Sequence, residues 1–242
     1  MSKKVIVLTG GTSGIGVKTI SELIKNGYFL EFTYNSNADL AKSIEMEYGD
    51  AKVSSYKLNL DSETECSDYA QYLLNKHDSI FGFIHNSGIT KIGHLSLLSE
   101  EDWRLVFNVN IINIFPLLKA VSNNMILQKN GTIVFISSIA GVQPAEGQAS
   151  YASSKSALIA LTRSLGKELG RFNIRVNCIS PGFVDTAMVK SLSKKYLDNL
   201  RKQIPFNRFS KPIEIAKVVN FLISEEASYI NCSNIVVDGG LT

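Results

Sequence analysis

Short runs of β-branched and aromatic residues recur along the chain, separated by longer stretches with helical spacing. The runs are Val5–Thr9, Tyr28–Tyr34, Val53–Leu58, Ile80–His85, Thr132–Ser137, Ile174–Ile179 and Ile235–Val237. Several are apolar throughout rather than alternating, which is the pattern of strands covered on both faces. Helix-length segments fall at 15–38, 38–48, 62–76, 100–127, 150–170 and 212–224. Ser99 followed by Asp102 is a helix-start signal, and Pro212 suits a first helical turn. Strand–helix alternation over the whole length predicts an α/β fold. The expectation is a single doubly wound Rossmann-type domain over residues 1–242, with a mostly parallel seven-stranded sheet and helices on both faces. No repeat, low-complexity tract or Pro/Gly/Ser-rich linker marks a boundary within it. In such folds ligands bind beyond the carboxyl ends of the strands.

Composition narrows the function classes. The chain has 242 residues, 45% of them hydrophobic and 19% charged, enough apolar material for a sizeable core. A net charge of +3 is too small an excess to indicate a nucleic-acid partner. Cys66, Cys178 and Cys232 are odd in number and far apart, so they fit neither a disulfide framework nor a metal site. They are expected to be inert thiols in a reducing cytoplasm. After the basic start Met1-Ser2-Lys3-Lys4 the apolar run is only Val5 to Leu8, too short for a signal-peptide core. The best candidate for a membrane span, Ile111 to Leu118, is broken by Asn113 and Pro116, so no membrane association is expected.

The first strand runs into Thr9-Gly10-Gly11-Thr12-Ser13-Gly14-Ile15-Gly16 and then a helix. Glycines let the backbone turn tightly and approach a pyrophosphate, and the helix amino terminus offers free N–H groups to the phosphates. A dinucleotide is therefore the expected ligand of Gly10 to Gly16. At the end of the second strand an acid would bond the ribose 2′-hydroxyl and repel a 2′-phosphate. Here the segment reads Thr33-Tyr34-Asn35-Ser36-Asn37, without an acid. That favours NADP(H), with Asn35 and Ser36 as hydrogen-bond donors. No arginine or lysine sits at the turn to grip a phosphate, so NAD(H) stays open.

Tyr151-Ala152-Ser153-Ser154-Lys155 carries the densest chemistry. Tyrosine and lysine four apart share one helix face. An ammonium near the phenol is expected to draw its pKa down toward the working range, making an acid–base pair. Ser138, at the end of a strand, is placed to hydrogen-bond a substrate oxygen, with Ser137 as its neighbouring rival. Asn110 falls inside a helical stretch, where asparagine is mildly unfavourable. It reads either as the holder of a relay water or as a buried amide tied to backbone.

These residues, in this order, resemble the short-chain dehydrogenase/reductase family in its compact form, over Thr9 to Gly240. Thr9 to Gly16 matches the family's Thr-Gly-x-x-x-Gly-x-Gly loop. His85-Asn86-Ser87-Gly88 stands where the family has Asn-Asn-Ala-Gly, with His85 and Ser87 departing from it. Asn110, Ser138, Tyr151 and Lys155 fall on the catalytic positions, and Pro181-Gly182 with Val184 and Thr186 on the turn beside the nicotinamide. Val237 to Gly240 matches the near-terminal Val-Asp-Gly-Gly. Within the family the likeness is greatest to 3-oxoacyl-[acyl-carrier-protein] reductases. The resemblance implies that NADPH gives its pro-S hydride to a ketone carbon of a 3-oxoacyl thioester. It also implies that Ser138 and Tyr151 polarise the carbonyl, that Tyr151 delivers the proton, that Lys155 tunes it and positions the ribose, and that Asn110 supports a water chain. Asn59 and Leu60 are implied to flank the adenine, and Asn86 and Gly88 to line the cofactor cleft.

The segment 186–211 lies where this family keeps its substrate lid. It carries Lys190, Lys194, Lys195, Arg201, Lys202, Arg208 and Lys211 against one acid, Asp198. A basic rim attracts an acidic acyl carrier protein or the phosphate of its acyl-phosphopantetheine arm, though a solvated helix face explains the charges equally well. Lys129 and Arg171 correspond to carrier-docking positions of the reductases this chain resembles. The alternatives are a reductase or dehydrogenase of a free sugar, polyol or steroid-like ketone or alcohol, and a catalytically silent dinucleotide-binding module. The resemblance further implies a homotetramer, with 100–127 and 150–170 between subunits and Ala149, Ala152, Ser156, Ala157 and Ala160 allowing close helix approach.

Overall fold

A computed structural model describes residues 4–186, 189 and 194–242. The strands are β1 (Val5–Thr9), β2 (Phe29–Tyr34), β3 (Val53–Lys57), β4 (Gly82–His85), β5 (Gly131–Ile136), β6 (Ile174–Pro181) and β7 (Asn234–Val237). They form one sheet in the order β3-β2-β1-β4-β5-β6-β7. Every pairing is parallel, so the expected "mostly parallel" sheet is wholly so. The order reverses between β1 and β4, and a crevice opens beyond the strand ends at that switch point.

Successive residues of a strand face opposite sides of a sheet, and both sides here are covered. Ile6, Leu8, Ile84, Val134, Ile136 and Ile179 pack into one core with Ile20, Leu23, Val219 and Leu222. Val7, Phe83, Ile133, Phe135 and Val176 face the other way, onto Tyr69, Leu73, Leu117, Val121 and Leu158. That division explains why the strand runs lack a polar alternation.

The helices are α1 (Gly14–Lys25), α2 (Ala38–Tyr48), α3 (Glu63–Lys76), α4 (Glu100–Phe107), α5 (Phe115–Gln128), α6 (Ala149–Leu169), α7 (Lys194–Gln203) and α8 (Pro212–Ile223). Ser99 caps α4 by accepting from the Asp102 amide, as its spacing predicts, and Pro212 opens α8. Two helical expectations need correction. The segment 15–38 is not one helix: α1 stops at Lys25, and Gly27 takes φ +83° before β2 begins. The segment 100–127 is likewise interrupted, by a π-helical turn at Asn108–Ile112 in which the Asn113 amide bonds the Asn108 carbonyl. An extra residue in a helical turn re-aims the side chains around it, here Asn110.

The stretch Glu100–Gln128 is, among the described residues, the one helical run long and apolar enough to cross a membrane. Half of its apolar window is buried in the protein, and α4 and α5 pack on α3, α6 and β5, as core helices do. In the expected lid region, Leu200, Ile204 and Phe209 form a small third cluster with Phe183, Val189, Leu197 and Leu241. Lys190 lies outside the described residues.

A buried charge sits on β2. Glu31 is fully buried and pairs through Oε2 with Lys76 Nζ at 2.9 Å and His77 Nε2 at 3.1 Å, both at the end of α3. A carboxylate out of water is tolerated only while such donors remain. Lys76→Met is expected to destabilise the protein by about 3 kcal/mol, the low end for stripping a buried charge of a partner, since His77 remains. Urea unfolding followed by circular dichroism measures it, and an unchanged midpoint contradicts the assignment.

Candidate active site

The glycine loop is shaped by its neighbours on both sides. Gly10 adopts φ +69°, a conformation that side-chain-bearing residues rarely take. The Gly11 amide donates to the Thr33 carbonyl at 2.8 Å, which ties the loop to the end of β2. Ser13 caps α1 by accepting from the Gly16 amide at 3.0 Å. A Cβ at Gly16 would collide with the Gly10 carbonyl oxygen, so the loop closes only on glycine there. From the next strand, Asn86 Nδ2 reaches the Gly10 carbonyl at 2.9 Å and Ser13 Oγ at 3.0 Å.

Three connected cavities lie at this edge of the sheet. The first, about 340 Å³, is lined by Thr12 to Ile15, Asn86, Gly88, Ser138, Tyr151, Lys155, Pro181, Gly182, Val184 and Thr186. The second, about 640 Å³, continues past Gly10 and Ser13 to Asn35, Asn59, Leu60 and Asp61. The third, about 500 Å³, shares Ser138, Tyr151 and Gly182 with the first and is walled mainly by Ile92, Ile139, Pro144, Phe183, Leu200 and Leu241. The residues predicted to hold a dinucleotide thus line two adjoining cavities that end on the amino terminus of α1. This fits a dinucleotide in size and donor set. Gly11 and Gly16 stand behind the loop and shape it.

Tyr151 and Lys155 project from one face of α6 into the first cavity. The Lys155 side chain is buried, and its Nζ donates to the Ile136 carbonyl at 2.9 Å, 5.8 Å from the Tyr151 ring centre. Burial without a carboxylate partner pushes Lys155 down to about 8. Tyr151 departs from the expectation. Burial raises its phenol above the ordinary value, and only a hydrogen bond with Ser138 opposes that. The ammonium turns toward a carbonyl rather than the phenol, so Tyr151 is held protonated at neutral pH.

The choice between the two serines is decided by bonding. Ser137 Oγ donates to the Lys155 carbonyl at 2.8 Å and is buried. Ser138 heads the turn Ile139–Gly141, accepts from the Ala140 amide, and faces Tyr151 at the junction of two cavities. Asn110 lines none of the three cavities. Its Oδ1 accepts from the Ile89 amide at 2.8 Å, and its Nδ2 donates to the Ile89 carbonyl at 3.0 Å and to Ser154 Oγ at 2.9 Å. The side chain is the backbone-tied amide of the two readings, and it holds Gly88 and Ile89 against Lys155.

Lys129 and Arg171 are not brought to the cleft. They precede β5 and β6, at the amino-terminal ends of strands whose carboxyl ends carry Ser138 and Pro181. The 8 residues of β6 put about 23 Å between the two ends at about 3.3 Å per step. The basic rim is also weaker than its count. Arg201 pairs with Asp198 at 2.8 Å, and Arg208 makes a two-pronged pair with Glu214 from α8 at 2.7 Å. Sequence reasoning passed over the walls of the third cavity, Thr33 beneath the loop, and Ser154 behind Asn110. Each is brought in by strand order and helix packing, for which no local pattern stands.

A family model described as "Enoyl-(Acyl carrier protein) reductase" matches residues 10–242. The 3-oxoacyl-[acyl-carrier-protein] reductase FabG of Thermotoga maritima is 37% identical over 239 residues, 98% of this chain and 97% of that protein. The protein of the same name from Chlamydia pneumoniae is 36% identical over 244 residues, 100% of this chain and 98% of its own. An acetoacetyl-CoA reductase of Synechocystis is 34% identical over 240 residues, covering 99% and 96%.

Two outcomes follow from the geometry. Lys155 is charged below its pKa of about 8 and neutral above it, so kcat/KM for carbonyl reduction is expected to be level through neutrality and to fall as pH rises through about 8. A pH–rate profile that stays level to pH values well above that range contradicts the role given to the ammonium. A Cβ at Gly88 would stand 2.8 Å from Lys155 Nζ and 3.3 Å from Asn110 Oδ1. Gly88→Ala is therefore expected to lower kcat about 10²-fold by displacing the ammonium, with little change in the urea midpoint. Steady-state kinetics and unfolding on the same preparation separate the two effects.

Proposed function

The chain belongs to the short-chain dehydrogenase/reductase family, and on that ground we propose that it reduces a 3-oxoacyl thioester borne on an acyl carrier protein, with NADPH, to the 3-hydroxyacyl form. One observation carries the reading. The Ser138 hydroxyl, the Tyr151 phenol and the buried Lys155 ammonium meet where a cavity fitted to a dinucleotide joins a mainly apolar one suited to an acyl chain. Two hydroxyls converging on one point suit an oxygen that gains charge, as that of a ketone does on reduction.

NADPH supplies the hydride to the ketone carbon when bound. The chain's own residues do the rest. Thr12 to Ile15 and the first amides of α1 take the phosphates, and Asn59 and Leu60 stand where the adenine end would rest. Ser138 donates to the ketone oxygen, and Tyr151 transfers its phenolic proton to that oxygen as charge builds there. A phenol held protonated by burial is the acid that ketone reduction needs. Lys155, its ammonium held by the Ile136 carbonyl and directed into the first cavity, would hold the ribose hydroxyls. Asn110 acts through Ile89 and Gly88 as a positioning residue.

Preference for NADPH rests on the polar, non-acidic segment Asn35-Ser36-Asn37 along the second cavity. Asp61 is the one carboxylate among the described residues lining that cavity. Because Lys129 and Arg171 lie at the far end of the sheet, a carrier docked on them serves the cleft of a second copy. The carrier and the tetramer readings therefore stand together. Exposed Ile112 and Phe115, with exposed Ser153, Ser156 and Ala160 on α6, supply the face for that copy; Ala152 is buried within the subunit. The free thiols Cys66, Cys178 and Cys232 accord with a reducing cytoplasm.

Parallel assays of acetoacetyl-carrier, acetoacetyl-CoA and free ketones with NADPH and NADH test the reading. The highest kcat/KM is expected for the carrier substrate with NADPH; free ketones exceeding both thioesters would sink it. Tyr151→Phe is expected to lower kcat/KM about 10²–10⁴-fold. Lys129→Glu with Arg171→Glu is expected to raise KM for the carrier substrate and leave that for the CoA ester unchanged.

A further inference from the structure

We propose that His85 is a positioning residue that couples the glycine loop to Asn110 through a single neutral imidazole tautomer. His85 ends β4 and is fully buried. Its Nδ1 lies 3.0 Å from Thr9 Oγ1, and its Nε2 lies 3.1 Å from the Asn110 carbonyl oxygen. A carbonyl only accepts, so Nε2 carries the proton. Nδ1 then offers a lone pair, and the Thr9 hydroxyl donates into it. Thr9 Oγ1 in turn accepts from the amides of Asn86 and Ser87, each at 3.1 Å. Donors and acceptors match throughout, with none left over.

The other protonation states break that match. The Nδ1–H tautomer sets a ring lone pair against the Asn110 carbonyl and leaves the Thr9 proton without an acceptor. The imidazolium restores the first bond but not the second. Burial and the neighbouring Lys155 ammonium push His85 down to about 3, so the ring stays neutral wherever the protein functions.

The bridge matters because of what it joins. Thr9 is the first residue of the glycine loop, and its carbonyl takes a bond from Asn86 Nδ2 at 3.2 Å. Asn110 occupies the π-helical turn, and its amide grips both backbone groups of Ile89. The segment from His85 to Ile89 is thus fixed at one end by a ring and at the other by an amide, both reaching Asn110. Between them Gly88 lies directly against Lys155 Nζ. A shift of the loop is passed to the ammonium through this wall. The asparagine that the family usually carries at this position also offers both an N–H donor and an oxygen acceptor, on a shorter arm.

The chain has three histidines, so imidazole ¹⁵N spectra of the labelled full-length protein with NADP(H) bound are assignable with His77→Gln and His94→Gln. His85 is expected to show Nε2 protonated and Nδ1 bare, unchanged between about pH 5 and 8, where a free imidazole titrates. His85→Leu, which keeps bulk and removes both bonds, is expected to lower kcat and raise the cofactor KM, each about tenfold, with the KM for acetoacetyl-CoA unchanged. His85→Asn is expected to recover most of the loss. An Nδ1-protonated or titrating ring overturns the proposal, as does a His85→Leu enzyme with wild-type kcat and cofactor KM. Should His85→Leu fail to fold, the wild-type spectrum decides alone.

Discussion

The hydrogen bond from the Lys155 ammonium to the Ile136 carbonyl is the interaction on which the site turns. An ammonium removed from water needs compensation, and among the described residues no carboxylate supplies it. A single carbonyl at 2.9 Å holds the charge in place without neutralising it. The cost is visible in the lowered pKa of the lysine. The benefit is a cation whose remaining N–H groups are directed into a cleft, ready for hydroxyl partners. Placing it required Ser137 to secure the Lys155 backbone and Gly88 to leave room for the head group.

Around that ammonium the protein separates fixed from available polar groups. Ser137, Ser154, Thr9 and Asn110 are saturated by bonds within the chain and hold position. Ser138 and Tyr151 face open volume on two sides. The phenol is pushed toward its protonated form because it is buried and its hydrogen-bond partner in the wall is the Ser138 hydroxyl. A neutral acid beside a buried cation is suited to giving a proton to an oxygen that is gaining charge. The same separation holds at the other end of the sheet, where the buried Glu31 is enclosed by Lys76 and His77 and opens onto no cavity described above.

Much of this was legible in local pattern. The strand runs place all seven strands to within two residues, because strands covered on both faces are rich in apolar and β-branched residues; β2, with buried Glu31, and the half-exposed β3 are the least uniform of them. Tyr151 and Lys155 announce themselves by helical spacing, and the glycine loop by its place after the first strand. Helix ends were less legible. The helix expected over 15–38 overran β2, since its stop depends on Gly27 turning to positive φ. The break at Asn108–Ile112 left no mark beyond an asparagine out of place, because a π-turn is imposed by the packing of Asn110 onto Ile89.

The sequence by itself determined the layered α/β architecture, the glycine-rich turn after β1 and the shared helix face of Tyr151 and Lys155, since each depends on residues close together in the chain. Tertiary structure alone decided which serine is available, that Asn110 is tied to backbone, that Tyr151 is driven toward its protonated form, and that Lys129 and Arg171 stand far from the cleft. The physical reason is common to all four. Burial, hydrogen-bond saturation and the end of the sheet at which a side chain emerges are set by strand order and helix packing, which bring together residues tens of positions apart.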